Sequence, residues 1–267
     1  GLVVVLLALW LARAFIVAEF ARNYFRSHGV TASVKIGTLG LSGVSGSFAL
    51  GPAEAPDFSA ERIELRFDPL RWVPFVTEVR LIHPVLRARV TAEGKVTLGS
   101  LQAWLDSLRQ AQGKSSFVSD DLVVSLTGLR ALLATPAGAA EVDGDVRLVK
   151  NLPASADLAL QPANLTWNGL TARVRVGRLN YESSGKVSGH VAADVQGKGF
   201  NLNGAEADFK ADGLRWSSAP ALSVSLTSAD LVLSAASANS NRAANTQGNG
   251  FAVNDLKADL KARELRW

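Results

Sequence analysis

The sequence contains no cysteine, no methionine and only three histidines. Without cysteine the chain has no disulfide framework, no thiolate nucleophile and no cysteine-based metal site. The histidines His28, His83 and His190 stand far apart, and HExxH, GxSxG, P-loop and GxGxxG motifs are absent. The run Asp143-Gly144-Asp145 lacks the further ligand spacing of a calcium loop and predicts a hairpin corner. We therefore predict a protein that is not an enzyme, with no catalytic residues, metal or cofactor.

Concentrated positive charge is also missing. The 28 lysines and arginines exceed the 24 acidic residues by a formal net charge of +4, but they are scattered singly along the 267 residues. Nucleic-acid-binding proteins cluster their basic residues on one face, so we predict no nucleic-acid partner. Since even position 1 is not methionine, we expect the sequence to be a fragment that lacks its start. Because it stops on a predicted strand at Trp267, we expect its continuation to be missing as well.

The first residues form the longest apolar run. GLVVVLLALWLA is followed by Arg13 and then AFIVAEFA, whereas a membrane-spanning helix needs about 20 apolar residues. Two interpretations stay open: a membrane anchor helix over residues 1–27, with Arg13 reaching the interface, or a signal peptide cleaved near Ala12-Arg13-Ala14. Both place the rest of the chain outside the cytoplasm.

Beyond Gly29, which we expect to end this helix, apolar and polar residues alternate with a period of two. ERIELRF, LVVSL, LTARVRV and LSVSLT each put their apolar residues on one face. Asn168-Gly169, Asn203-Gly204 and Asp212-Gly213 predict turns. The pattern predicts a mainly β fold, a long antiparallel meander over 28–267, with a flexible loop in the Ser/Asn/Ala/Gly tract at 234–250.

One short amphipathic helix is predicted near 100–109. Ser100 is the predicted N-cap, and an apolar stripe follows it at Leu101, Trp104, Leu105 and Leu108. Upstream, His83 precedes Pro84, which favours extended geometry at the histidine.

The apolar faces allow two architectures. Two sheets can stack them into a sandwich core, or one twisted sheet can leave an apolar groove open. Small residues on these faces, such as Ala88, Ala172, Ala258 and Ala262, favour the groove, because a packed core prefers bulk.

The first 110 residues resemble the amino-terminal part of the AsmA-like family, most closely its TamB and YdbH type. After the apolar start, GVTASVKIGTLGLSGVSGSFALG opens the fold at residue 29. Later features also match the family pattern: the strand at 60–67, Pro69 and Pro74 around Trp72 and Phe75, VRLIHPVL at 79–86, Gly94, and LGSL at 98–101.

The resemblance implies an elongated, curved, taco-like β-groove anchored in the inner membrane of a Gram-negative bacterium and extending into the periplasm. It implies phospholipid transport to the outer membrane, with phospholipids, the inner membrane and an outer-membrane protein or lipoprotein as partners. The residues expected to line the groove are Ile63, Leu65, Phe67, Leu86, Val90, Leu122, Val124, Leu126, Leu170, Val174, Val176, Leu222, Val224 and Leu226. The predicted helix at 100–109 would lie at the near end of this groove.

Two alternative functions stay open. Sheet edges could pair with strands of outer-membrane β-barrel proteins during their assembly. Alternatively, the chain could be a periplasmic β-sandwich that binds saccharide through exposed aromatic residues such as Trp167 and Trp216.

Overall fold

The computed structural model describes residues 19, 22–23, 25–27, 29–40, 42–68, 76–93, 95–102, 118–150, 152–198, 200–217, 223–239 and 252–266. The chain divides into two compact units. The first comprises Gly1–Arg89, Lys95–Ala131 and Arg147–Asn151, and the second Val90–Gly94, Leu132–Val146 and Leu152–Trp267. The predicted β domain at 28–267 contains the strands of both.

The first unit is built on six strands. They are β1 (Ala32–Leu39), β2 (Gly43–Leu50), β3 (Phe58–Phe67), β4 (Val76–Val90), β5 (Val96–Thr97) and β6 (Val118–Thr135), whose last residues belong to the second unit. The order is β1-β2-β3-β4-β6, with β5 paired to β4. The pairs β1/β2, β2/β3 and β3/β4 are antiparallel. The described strands of this unit thus form one layer, as the meander predicted.

The second unit continues the meander. Its strands are β7 (Gly138–Val149), β8 (Leu152–Leu160), β9 (Ala163–Trp167), β10 (Leu170–Tyr181), β11 (Val187–Gly197), β12 (Phe200–Asp212), β13 (Arg215–Ser217), β14 (Ser223–Asn239) and β15 (Ala252–Arg266). The order is β7-β8-β10-β11-β12-β14, and β8 and β9 pair with successive stretches of the same strand, β10. The described strands of this unit also form one antiparallel layer, not the stacked pair of a sandwich.

The predicted turns have different outcomes. Asn168-Gly169 joins β9 to β10 with φ of 49° and 77°, which confirms a hairpin turn with two left-handed residues. Asp212-Gly213 ends β12, which confirms a break there. The predictions at Asp143-Gly144 and Asn203-Gly204 are wrong, because these residues lie inside β7 and β12. Gly144 is needed for close pairing, since a Cβ there would overlap the carbonyl oxygen of Asp157.

The loop predicted at 234–250 is wrong over its first six residues. Strand β14 continues to Asn239, and Ala235 pairs with Ala205 of β12 and with Leu256 of β15. A polar, small-residue sequence stays extended here because two neighbouring strands accept and donate its backbone hydrogen bonds. The rest of the predicted loop lies outside the described residues.

The N-terminal helix ends where the sequence predicted. Residues 19, 22–23 and 25–27 are helical, and Gly29 has φ of 72°. The Gly29 amide donates to the carbonyl of Arg26, and the Val30 amide donates to the carbonyl of Phe25, both at 3.0 Å. This pair of bonds is a Schellman motif, and its usual apolar contact is provided by Phe25 and Val30, which pack in the same cluster.

Residues 1–18, which hold most of the predicted membrane anchor, lie outside the described residues. Among the residues that are described, no helix is long and apolar enough to cross a membrane.

A closed apolar cluster occupies the first unit. Its buried members are Val30, Leu50, Phe58, Ala60, Leu81 and Leu101. Leu50 is fully buried, and the rings of Phe48 and Phe58 meet edge to face with centroids 5.5 Å apart. Strands therefore supply most of this core, while Val30 follows the N-terminal helix and Leu101 lies within the short helical segment at 100–102.

The second helical segment begins at Ser100 but is capped by a distant residue. Residues 100–102 are helical, and the Ser100 amide donates to Asp57 Oδ2 at 2.7 Å. The N-cap prediction for Ser100 is therefore wrong: Ser100 is the first helical residue, and the carboxylate of Asp57 satisfies its amide. Leu101 is buried in the core cluster. The other predicted stripe residues, Trp104, Leu105 and Leu108, lie outside the described residues.

Candidate functional site

One face of the second unit is apolar across five described strands. Residues that pair directly across neighbouring strands project to the same face. Leu179 of β10 pairs with Leu158 of β8 and with Gly189 of β11, which pairs with Phe209 of β12. One row across the sheet thus contains four apolar residues.

Four further rows have the same composition. Together the five rows define what we call the apolar face: Ala156, Leu158, Leu160, Ala163, Leu165, Ala172, Val174, Gly177, Leu179, Tyr181, Val187, Gly189, Val191, Ala193, Val195, Leu202, Ala205, Ala207, Phe209 and Ala211. The pair Trp167 and Leu170 extends it at the turn. The face carries no charged side chain, so it can interact with a ligand mainly through apolar contact.

Several large side chains of this face are exposed to solvent. Trp167 is 63% exposed, Leu179 40% and Val191 39%. Single exposed apolar residues are ordinary, but a contiguous group on one face marks a binding surface. Small residues lie between them, since Gly177 pairs with Val191 and Gly189 pairs with Leu179. We therefore take the apolar face as the candidate functional site.

A β-bulge keeps this face apolar and corrects one predicted site residue. Val174 pairs with Ala193, but Val176 pairs with Ala192. Because Ala192 and Ala193 are successive residues of β11, they project to opposite faces, and so do Val174 and Val176. The prediction that Val176 shares a face with Val174 is wrong. The extra residue in β10 reverses the alternation, as bulges do.

Polar contacts accompany the bulge on the other face. Arg175 is the unpaired residue of β10, and Asp194 lies at the matching register shift of β11. Their side chains form an ion pair with Nε and Oδ2 3.8 Å apart. Asp194 Oδ1 also accepts the amide of Gly204 in β12 at 2.8 Å. One aspartate thus connects the irregular points of three neighbouring strands.

The opposite face of this unit is polar. Its side chains include the pair His190 Nδ1 and Asp208 Oδ1, 2.9 Å apart, and Gln161, which donates to Asp143 at 2.8 Å. Arg173 and Arg178 are exposed there. No group of three metal-ligating side chains occurs among the described residues. The contrast between the two faces gives the second unit one surface for water and one for apolar material.

Strands β3 and β4 of the first unit also contain irregular residues that keep apolar side chains on one face. In β3, Ala60 pairs with Phe48 and Ile63 with Gly46, so two residues three apart share one face. In β4 the alternation of side chains between the two faces changes at His83, whose φ is 48°. The prediction of extended geometry at His83 is wrong, because a left-handed residue here keeps the apolar residues before and after it on one side. His83 Nδ1 lies 2.8 Å from Glu61 Oε2, which joins the two irregular strands.

The predicted groove residues of the first unit lie around its core. Ile63, Leu86 and Leu126 pack against the buried cluster. Leu65, Phe67, Val90, Leu122 and Val124 are half-buried on β3, β4 and β6. These five residues are not among those that form or pack against the buried cluster.

The predicted groove residues of the second unit have mixed placements. Leu170 and Val174 lie on the apolar face, Leu170 at the surface and Val174 buried. Val224 pairs with Trp216, and Leu226 pairs with Leu265. Leu222 lies outside the described residues.

The sequence prediction missed most of the exposed apolar face. Leu158, Leu179, Val191 and Phe209 were not selected, although the runs LPASADLAL and VSGHVAADV around two of them alternate visibly. Leu179 is not predicted to share a face with Leu170 by strict alternation, because the bulge between them reverses the alternation. A change from even to odd apolar spacing inside one strand is the signal that could have found it.

The chain matches a protein-family model. The model described as YdbH-like, intermembrane phospholipid transport protein YdbH, covers residues 2–258. The chain has no match among the curated proteins compared with it.

Proposed function

Because this chain belongs to the YdbH-like family of intermembrane phospholipid transport proteins, we propose that it carries phospholipids by holding their acyl chains on the apolar face of the second unit. The observation that carries the proposal is the exposure of large apolar residues on that face, with Leu179 and Val191 each about two-fifths exposed. A water-exposed surface without charge is suited to hydrocarbon.

The energetics favour holding without a specific pocket. Each buried methylene of an acyl chain contributes about 0.8 kcal/mol, so a chain in contact with several rows gains affinity from many small terms. The rows repeat the same kinds of side chain, and the affinity along them changes little from one row to the next. Lipid can therefore move along the face, and no single residue is indispensable.

The location and partners follow from the family as proposals. Transport between membranes places the protein in the cell envelope, and we propose that the N-terminal segment anchors it in the inner membrane with the strands in the periplasm. The cargo is phospholipid, and the receiving partner is an outer-membrane protein or lipoprotein. The protein needs no catalytic residue or cofactor for this role.

Site-specific photo-crosslinking tests the surface directly. A photoreactive amino acid is placed at Val191 or at Val176, and phospholipid attached after irradiation is measured by mass spectrometry. The two valines are matched, because Val191 is 39% exposed on the apolar face and Val176 is 42% exposed on the polar face. We expect lipid attachment at Val191 and little at Val176. Equal attachment at both positions would contradict the proposal.

Aspartate substitutions provide the second test. Leu179→Asp with Val191→Asp places two charges on the apolar face, and we expect the amount of co-purifying phospholipid to fall severalfold, because charge is costly beside hydrocarbon. Val176→Asp is the control and should retain lipid. Circular dichroism checks that both variants fold. Retention of lipid by the folded double variant would refute the role of this face.

A further inference from the structure

A small cavity lies where the N-terminal helix meets β1, in the first unit. It has a volume of about 280 Å³ and is lined by Arg22, Arg26, Gly29, Val30, Thr31 and Ala32. Two arginines thus stand over a short stretch of small and apolar residues. The cavity belongs to the first unit, and none of its lining residues is part of the apolar face.

Arg22 is incompletely paired. Its Nη1 lies 3.1 Å from Glu19 Oε2, but its Nε is buried and has no hydrogen-bond partner among the described residues. Buried polar donors are almost always satisfied, so an orphaned one indicates a missing acceptor. Since a guanidinium can donate five hydrogen bonds, Arg22 has donors left for a ligand.

Arg26 adds a second cation. Its described hydrogen bond is long, 3.4 Å from Nη1 to Asn23 Oδ1, and its side chain is exposed. The nearby backbone carbonyls of Phe25 and Arg26 already accept the hydrogen bonds of the Schellman motif. The arginine side chains are therefore the main polar groups that the cavity offers to a ligand, and they select an anion.

Apart from the two arginines, Thr31 is the only lining residue with a polar side chain. Val30 belongs to the buried core cluster, and Ala32 packs against it. The cavity therefore combines cationic donors with an apolar floor. Guanidinium groups present a planar fork that matches the oxygens of a phosphate, which makes arginine well suited to phosphate recognition.

We propose that Arg22 and Arg26 bind the phosphate of a phospholipid headgroup at the junction of the N-terminal helix and β1. This inference rests on the proposed function for the identity of the ligand, and it adds recognition of the headgroup to the apolar contacts proposed for the acyl chains. Inorganic phosphate has the same chemistry, so the test separates the two sources.

The test titrates the purified chain with dihexanoylphosphatidylglycerol below its micelle concentration and follows binding by phosphorus NMR. We expect Arg22→Gln with Arg26→Gln to weaken binding about tenfold, the loss of one or two charge-assisted hydrogen bonds. The matched control is Arg62→Gln with Arg66→Gln in β3, where Glu64 and Glu78 already pair with the arginines at 2.8 and 3.2 Å. This control should bind like the unmodified chain, and both variants should keep the native circular dichroism spectrum.

Three results would overturn the inference: no binding by the unmodified chain, equal weakening in both double variants, or inorganic phosphate binding as tightly as the lipid. The last would assign the cavity to free phosphate. Crosslinking at Val191 reports on the proposed function separately. Crosslinked lipid with an unchanged Arg22/Arg26 variant refutes the headgroup site alone, whereas arginine-dependent binding without crosslinking refutes the acyl-chain surface alone.

Discussion

The two units carry the same alternation of apolar and polar residues but differ in what covers their apolar side. In the first unit Leu50 is fully buried and Val30 is 1% exposed, whereas in the second Leu179 and Val191 are 40% and 39% exposed. The same two-residue period thus leads to a closed core in one unit and to exposed apolar side chains in the other. Periodicity shows which residues share a face, and it does not show whether the face is covered.

The difference arises from segments that are not strands. In the first unit the apolar side of the sheet is covered by residues in or next to two helical segments, namely Phe25, Val30, Leu98 and Leu101. The described residues of the second unit contain no helical residue. Val174, Ala193 and Ala211 of its apolar face are buried, whereas Leu179 and Val191 stay about two-fifths exposed. A ligand that supplies hydrocarbon can cover these exposed side chains.

The largest expected effect separates the two surfaces. Leu50→Ala should lower the free energy of unfolding by about 2–5 kcal/mol, because it leaves a cavity in a closed core. The matched change Leu179→Ala should lower it by less than about 1 kcal/mol, since the side chain is already in contact with water. Urea denaturation measures both. Equal losses would show that the two apolar surfaces are covered alike.

A smaller effect tests the contact between Gly128 and His83, the left-handed residue of β4. Gly128 has φ of 64°, and an added Cβ would lie 2.6 Å from His83 Cδ2. Gly128→Ala should therefore cost about 2–3 kcal/mol, from left-handed backbone strain and from displacement of the imidazole.

The control for this change is Gly169→Ala in the hairpin of the second unit. Its φ is 77°, but no atom lies within 4 Å of the added Cβ. Only the backbone strain of about 1 kcal/mol remains. A thermal unfolding comparison in which both variants lose the same stability would argue against a tight contact between His83 and Gly128.

The cap of the helical segment that helps to cover the first unit provides the third test. Asp57→Ala should cost about 1–2 kcal/mol, because it removes the acceptor of the Ser100 amide. Ser100→Ala keeps that acceptor and should cost only a few tenths of a kcal/mol. If chemical denaturation showed a larger loss of stability for Ser100→Ala than for Asp57→Ala, Ser100 would be the cap.

The smallest effect concerns the polar side of the first unit. Glu78 contacts Arg66 at 3.2 Å and Arg80 at 3.0 Å, with the arginines largely exposed. Glu78→Gln should lower stability by less than about 1 kcal/mol, and the difference should shrink in 1 M salt because the charges are screened. A salt-independent loss would indicate that Glu78 acts through packing.

The sequence by itself determined the local features of this protein. The two-residue period determined the β class, Gly29 the end of the helix, and Asn168-Gly169 the hairpin. The family resemblance is confirmed by the match over residues 2–258. These features depend on neighbouring residues or on short motifs, so they can be identified without the fold.

The tertiary structure decided the rest. Val176 lies on the polar face because β10 has a bulge, which shows only as a register shift against the partner strand. Asp57 caps an amide 43 residues away in the chain. Cover over the apolar side comes from packing of distant segments. Each of these depends on which parts of the chain meet, a long-range property that a period of two residues does not encode.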